Sequence, residues 1–156
     1  MGMISTISAR AYMLVRDERS AGVHGGGSIS GTQVRTLNTV LKNTIPNASL
    51  AANQLTLPPG TYLLQALAPC YGGESHKAHI YSVTDAAVLM YGSSERVWSA
   101  SDVSSCSVVR VELVLTAQKV IELRHYIATP QAIVGLGYAV ASGIEVYAQI
   151  VLEKVR

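Results

Sequence analysis

The chain has 156 residues, 49% hydrophobic and only 14% charged, with a net charge of +2. That length suits one domain with a sizeable core. A charged fraction well below the roughly 25% of ordinary soluble chains leaves apolar surface that an oligomer or larger assembly is expected to cover. The small net charge and scattered Lys and Arg exclude a nucleic-acid-binding stripe, and no apolar run reaches the roughly 18 residues of a membrane-spanning helix.

The opening, MGMISTISARAYMLVRDE, has no basic region ahead of an apolar stretch and no small-residue cleavage site, so no secretory leader is expected. Residues 1–8 read as an arm before one domain over residues 9–156. The glycine cluster GVHGGGSISGT (Gly22–Thr32) raises the question of phosphate binding. Gly26 and Gly31 have the right spacing, but Ser30 and Thr32 flank Gly31 where the motif needs lysine, and no helix follows. A tightly turning or flexible surface loop is expected instead. Arg35–Leu41 is short enough to be mistaken for helix, yet its Thr and Val content favours a strand. Asn47-Ala48-Ser49 matches a glycosylation acceptor, a pattern frequent by chance.

Turn formers recur at Pro58–Gly60, Gly72–Ser75, Gly92–Ser94, Ser99–Ser105, Thr129–Gly137 and Ser142–Gly143, with Val-, Ile-, Tyr- and Thr-rich segments between them. In SHKAHIYSVTDAAVLMYGSSE (Ser75–Glu95), His76 and His79 have metal-pair spacing. Residues three apart on a strand point to opposite faces, so the two could not chelate one ion without a bulge. A Ser/His/Asp site lacks its G-x-S-x-G elbow. The segment reads as a strand over His76–Thr84, a turn near Asp85 and a strand over Ala87–Tyr91. Arg96 and Trp98, in RVWSASD, are candidates for a surface binding anchor, against the plainer reading that the tryptophan caps the core. Cys70 and Cys106 belong to no C-x-x-C motif and are expected as free, partly buried thiols, with a disulfide left open.

Val108–Thr116 alternates, with Val109, Val111, Leu113 and Leu115 on one face. Lys119–Ile127 does the same with Ile121, Leu123 and Ile127. Read as a hairpin, the two take a register whose paired numbers sum to 236, setting Glu112 against Arg124 and Leu113 against Leu123 around Gln118. The last segment, Gly143–Val155, stays apolar on both faces, as a strand covered by the core and by a neighbouring subunit would. Tyr147, Gln149 and Val151 are its candidate interface residues. Short strands with turns every 8–12 residues define an all-β jelly-roll sandwich. No cofactor or metal is implied, and the ten acidic residues are too isolated for a glycosidase carboxylate pair.

Several pieces in order carry a family resemblance: RDE, GGGSISG (Gly25–Gly31), VRTLNTV (Val34–Val40), LTLPPGTYLLQALAP (Leu55–Pro69), HKAHIYSVTD (His76–Asp85) and YGSSE (Tyr91–Glu95). AQKVIELRH (Ala117–His125) and VASGIEVYAQIVLEK (Val140–Lys154) complete the set. Together they resemble bacteriophage virion domains with jelly rolls similar to tumour necrosis factor and the complement-type globular head. The resemblance implies a non-enzymatic homotrimer on the virion surface, made in the host bacterial cytoplasm. Its implied partners are other virion proteins (major capsid or tail) and a host-surface glycan or protein, with no nucleic acid and no membrane insertion. With only about eight residues before the first strand, a capsid decoration or cement protein is the first expectation and a tail-fibre tip or adhesin the alternative.

Overall fold

The computed structural model describes residues 10–155 except residue 101. The arm expected over residues 1–8 lies outside the described residues. Eleven strands run in order: β1 (Ala11–Arg19), β2 (Gly31–Val34), β3 (Thr39–Asn43), β4 (Ser49–Ala51), β5 (Gln54–Leu57), β6 (Gly60–Tyr71), β7 (Glu74–Ser82), β8 (Ala87–Val97), β9 (Ser104–Leu115), β10 (Lys119–Ile127) and β11 (Glu145–Lys154). They form two facing antiparallel sheets, β3-β1-β11-β6-β9 and β4-β5-β10-β7-β8, with β2 also paired to β10. This is the jelly-roll sandwich that the alternating sequence calls for.

Period-two alternation places one residue set from each sheet in the shared core. Met13, Val15, Leu64, Val109 and Ile150 enter from one sheet and Ile80, Ile121 and Leu123 from the other, all buried. Tyr62 joins them because its hydroxyl donates to Pro58 O at 2.7 Å, which satisfies the one polar atom the ring brings. Cys70 stands opposite Ser105, and Cys106 opposite Pro69. Adjacent register positions point to opposite faces, so the two thiols are free and cannot meet across this ladder.

The expected hairpin between Val108–Thr116 and Lys119–Ile127 does not form. Strand β9 pairs with β6, placing Glu112 opposite Leu63, while β10 pairs with β7, β5 and β2 in the other sheet. Both strands do bury their odd-numbered apolar residues, but they do so from opposite sides of the core. Alternation fixes which face is buried and says nothing about which strand lies alongside. Arg124, one of the two charges chosen to set the register, is met on its own strand, where its Nε donates to Glu122 at 2.8 Å.

Arg35–Leu41 is likewise not one strand. Residues 35–38 cross from one sheet to the other: Arg35 N donates to Leu123 O at 2.8 Å and Asn38 N to Arg16 O at 3.1 Å. Gly92–Ser94 is not a turn. The strand continues to Val97 through a bulge, with Lys77 opposite Ser94 but His79 opposite Tyr91. A Cβ on Gly92 would lie 2.9 Å from Val108 O, so only glycine lets β8 approach β9 there.

The connections β1–β2, β6–β7, β8–β9 and β10–β11 gather at one end of the sandwich, and Ala11 pairs with Lys154 at the other. The glycine-rich β1–β2 segment is not a free surface loop. Gly25 N donates to Gly137 O at 3.0 Å and Ser28 N to Gln131 O at 2.8 Å, and Gly25 and Ser28 are buried. These two segments close over Tyr147, whose hydroxyl donates to Val23 O at 2.8 Å. Gly137 sits at φ 146°, and a Cβ there would lie 2.1 Å from the Tyr147 ring. Gly137→Ala combines overpacking with positive-φ strain and is expected to cost at least about 2 kcal/mol. A urea midpoint equal to that of the parent chain would contradict this packing.

Candidate functional site

Arg35 enters the interior at the loop end because the sheet-to-sheet crossover begins there, and its side chain is 0% exposed. Its guanidinium donates to Pro69 O and Leu136 O, each at 2.7 Å, and to His125 Nδ1 at 3.1 Å. His125, inward on β10, lies with Nε2 2.9 Å from His76 Nδ1, and His76 Nε2 lies 2.7 Å from Ser105 Oγ on β9. The sandwich therefore encloses a relay, Arg35–His125–His76–Ser105, that joins both sheets and the β10–β11 connection.

The relay has one direction. Arginine has donors and no acceptor, so His125 Nδ1 must accept, and its proton sits on Nε2. That proton goes to His76 Nδ1, which leaves His76 with a proton on Nε2 aimed at Ser105 Oγ. A serine nucleophile needs a base at that position and a carboxylate at the far end of the chain. Here the far end is a cation, and His76 faces Ser105 as a donor. The geometry resembles a hydrolytic triad with its polarity reversed.

Electrostatics agree. Burial, followed by the Arg35 charge, pushes His125 down from 6.5 to about 2. Burial lowers His76 and His79 as well, with Arg35 adding to the first, where Glu95 opposes it, and Arg124 adding to the second. Arg35 itself falls only to about 10, chiefly through burial, and stays charged at neutral pH. Asp17 is the acidic group that acts on it, although Asp17 makes its ion pair with Arg19 at 2.7 Å. Two neutral inward histidines, His76 and His125, and one charged arginine give a polar core without titratable chemistry near pH 7.

The opposite face of the same sheet carries an open groove of about 840 Å³. Register lays out its floor in rows across β2, β10, β7 and β8. One row is Thr32, Tyr126, Lys77 and Ser94; the next is Arg124, His79 and Tyr91. Beyond them Tyr81 stands opposite Val88, and Ser75 opposite Arg96. The Arg124 guanidinium stacks 3.5 Å over the Tyr81 ring, and Lys77 Nζ lies 5.8 Å from the Tyr91 ring centre. Tyr91, 61% exposed, and Tyr126 are both open to solvent.

The strand-parity argument for the histidines holds in this geometry. His76 points inward to His125, and His79 points outward beside Tyr91, with ring centroids 5.7 Å apart. Arg96 lines the groove, whereas Trp98 stands just beyond β8 and is 61% exposed, so it does not cap the core. Gln149 and Val151 lie on the outward face of the five-stranded sheet, while Tyr147 is covered by its own chain. Sequence reasoning missed Arg35, Tyr91 and Tyr126. The exposed tyrosines alternate with apolar inward residues on both strands and could have been read from parity, but no local pattern signals a buried arginine.

This architecture defines a jelly roll of the type shared by tumour necrosis factors and complement globular heads. Solved structures with the same fold include the globular domain of zebrafish complement 1qA (15% identity, TM-score 0.59, covering 95% of this chain and 98% of that one). Murine APRIL at pH 5.0 is similar at 9% identity and TM-score 0.62, over 94% of this chain and 100% of that one. Eiger TNF from S. frugiperda is similar at 12% identity and TM-score 0.61, over 96% and 94%. No family model and no curated protein matches the sequence.

The neutral histidines set a pH dependence. With 6.5 as the ordinary value and about 2 in the fold for His125, falling pH protonates the unfolded chain first. Stability is therefore full above pH 6.5 and declines below it, by up to about 1.4 kcal/mol per pH unit for each such histidine. Urea unfolding between pH 7.5 and 5, above most carboxylate titration, is expected to show this decline. A flat profile would contradict a neutral relay.

Proposed function

We propose that the chain is a non-enzymatic bacteriophage virion protein, assembled as a homotrimer and displayed on the particle surface. The observation that carries this reading is the outward face of the β3-β1-β11-β6-β9 sheet. Tyr12, Leu63, Val114 and Val151 all lie on that face and are exposed, Val114 to 67%. Leu14 stands opposite Val151 and Leu67 opposite Gln149, which extends the apolar strip across three strands. Such a face gains about 25 cal/mol for each Å² it buries. It answers the excess of apolar residues over charge in the sequence. The interface then includes Gln149 and Val151, with Tyr147 supporting them from beneath the β1–β2 and β10–β11 segments. The reversed polarity of the Ser105 relay supports the non-enzymatic part, and free Cys70 and Cys106 accord with synthesis in a reducing bacterial cytoplasm.

Between a capsid decoration protein and a tail-fibre tip, the arrangement of the two ends favours the tip. Residues 20–30 and 128–144 contain no Asp, Glu, Lys or Arg. They expose Val23, Ile133, Tyr138 and Val140, close to Trp98. Strand β1 begins and β11 finishes at the opposite end, so attachment through either terminus turns this charge-poor loop end outward, toward a host surface. Immunogold counts on particles are expected to show a handful of copies; hundreds would favour the decoration role. Light scattering on the purified chain at micromolar concentration is expected to give three times the chain mass. Val151→Glu is expected to give monomers with unchanged far-ultraviolet circular dichroism. A monomeric parent chain would overturn the assembly.

A further inference from the structure

The groove on the β2–β10–β7–β8 face is a built surface that the trimer face does not use. Its floor alternates flat rings with charged and hydroxyl groups: Tyr126 beside Lys77, Tyr91 beside His79, and Arg96 beside Ser75. Among the described residues, Lys77 and Arg96 make no ion pair, whereas Arg124 is matched by Glu122. Glu95 also borders the groove, yet it stands opposite inward-facing His76, whose proton affinity it raises. The outward floor therefore keeps two uncommitted cations.

Val88 is the one aliphatic side chain among the groove's lining residues. The groove's apolar surface comes mostly from flat tyrosine rings, with cations and hydroxyls set between them. The exposed rings offer stacking faces, and the interleaved hydroxyl and cationic groups offer hydrogen bonds at their edges. Tyr91 and Tyr126 sit on strands either side of β7 and one row apart, so their rings are on the order of 12 Å apart, a spacing that reaches past one sugar ring to the next but one.

We propose that this groove binds a saccharide bearing carboxylates, with Tyr91 and Tyr126 stacking on sugar rings separated by one residue and Lys77 and Arg96 pairing the carboxylates. This rests on the display reading above only in requiring the groove to stay uncovered in the assembly. His79 is neutral and donates or accepts from hydroxyls without competing for the acid.

Affinity electrophoresis of the full chain in native gels containing polygalacturonate, neutral galactan or polyglutamate tests the proposal. Polygalacturonate is expected to retard the protein at least about tenfold more strongly than either other polymer, a difference of about 1.4 kcal/mol. Retardation is expected to disappear in Lys77→Gln and in the Tyr91→Ala/Tyr126→Ala double variant. It is expected to persist in Lys42→Gln, which removes the same charge from the other sheet. Equal retardation by polyglutamate, as an acidic protein partner would give, would overturn it. So would equal retardation by galactan, retention by the double variant, or no retardation in any gel. Light scattering on the same samples separates the outcomes: a monomer mass speaks against the trimer, and gel retention speaks to the groove alone.

Discussion

Arg35 carries a positive charge into a sandwich interior, where an isolated ion would cost several kcal/mol even after relaxation. The loop end of the molecule is organised around meeting that charge with lone pairs. Two come from backbone carbonyls, Pro69 O at the top of β6 and Leu136 O in the β10–β11 connection, and the third from the His125 ring. The guanidinium thus ties one sheet, the other sheet and a long glycine-rich connection to one point. That connection is held where it can pair with the β1–β2 segment and cover Tyr147. Because a cation occupies the end of the relay, every ring along it is forced neutral and oriented as a donor toward Ser105. On the proposed reading, a group of residues that could be mistaken for hydrolytic machinery serves to tie the loop end together.

With the interior given over to that tie, interaction falls to the outer faces, which differ in chemistry. The face of the five-stranded sheet carries an aliphatic strip, Leu14, Val151, Leu63 and Leu67, across β1, β11 and β6, suiting burial against another copy. The face of the other sheet is aromatic and cationic, suiting a polar ligand. The two lie on opposite sides of one core about 10 Å thick, so assembly on one leaves the other open. The charge-poor loop end and the strand termini divide the long axis in the same way.

Much of the fold was legible because alternation is a local property. Val109, Leu113, Ile121 and Leu123 are buried as their parity requires, and the strand–turn–strand read over His76–Tyr91 follows from the Ser82–Asp85 turn chemistry, in which Ser82 Oγ donates to Asp85. Strand pairing was not legible. The supposed partners β9 and β10 share the core while lying in different sheets, and cross-strand charge matching has no force between strands that never become neighbours. Gly92 marked a bulge, since a glycine that permits close approach leaves the same trace as one that permits a turn. Of the site, Arg96 and the opposed histidines were within reach of residue-level reasoning. Arg35 was not, because its burial depends on acceptors from residues 69, 125 and 136, all distant in the chain.

The polarity of the relay is the claim on which the non-catalytic account stands, and histidine ¹⁵N chemical shifts at pH 7 measure it directly. The account requires His125 and His76 both to carry their single proton on Nε2, with His125 still neutral at pH 5. A proton on Nδ1 of His76, leaving Nε2 free to act as a base toward Ser105, would contradict it.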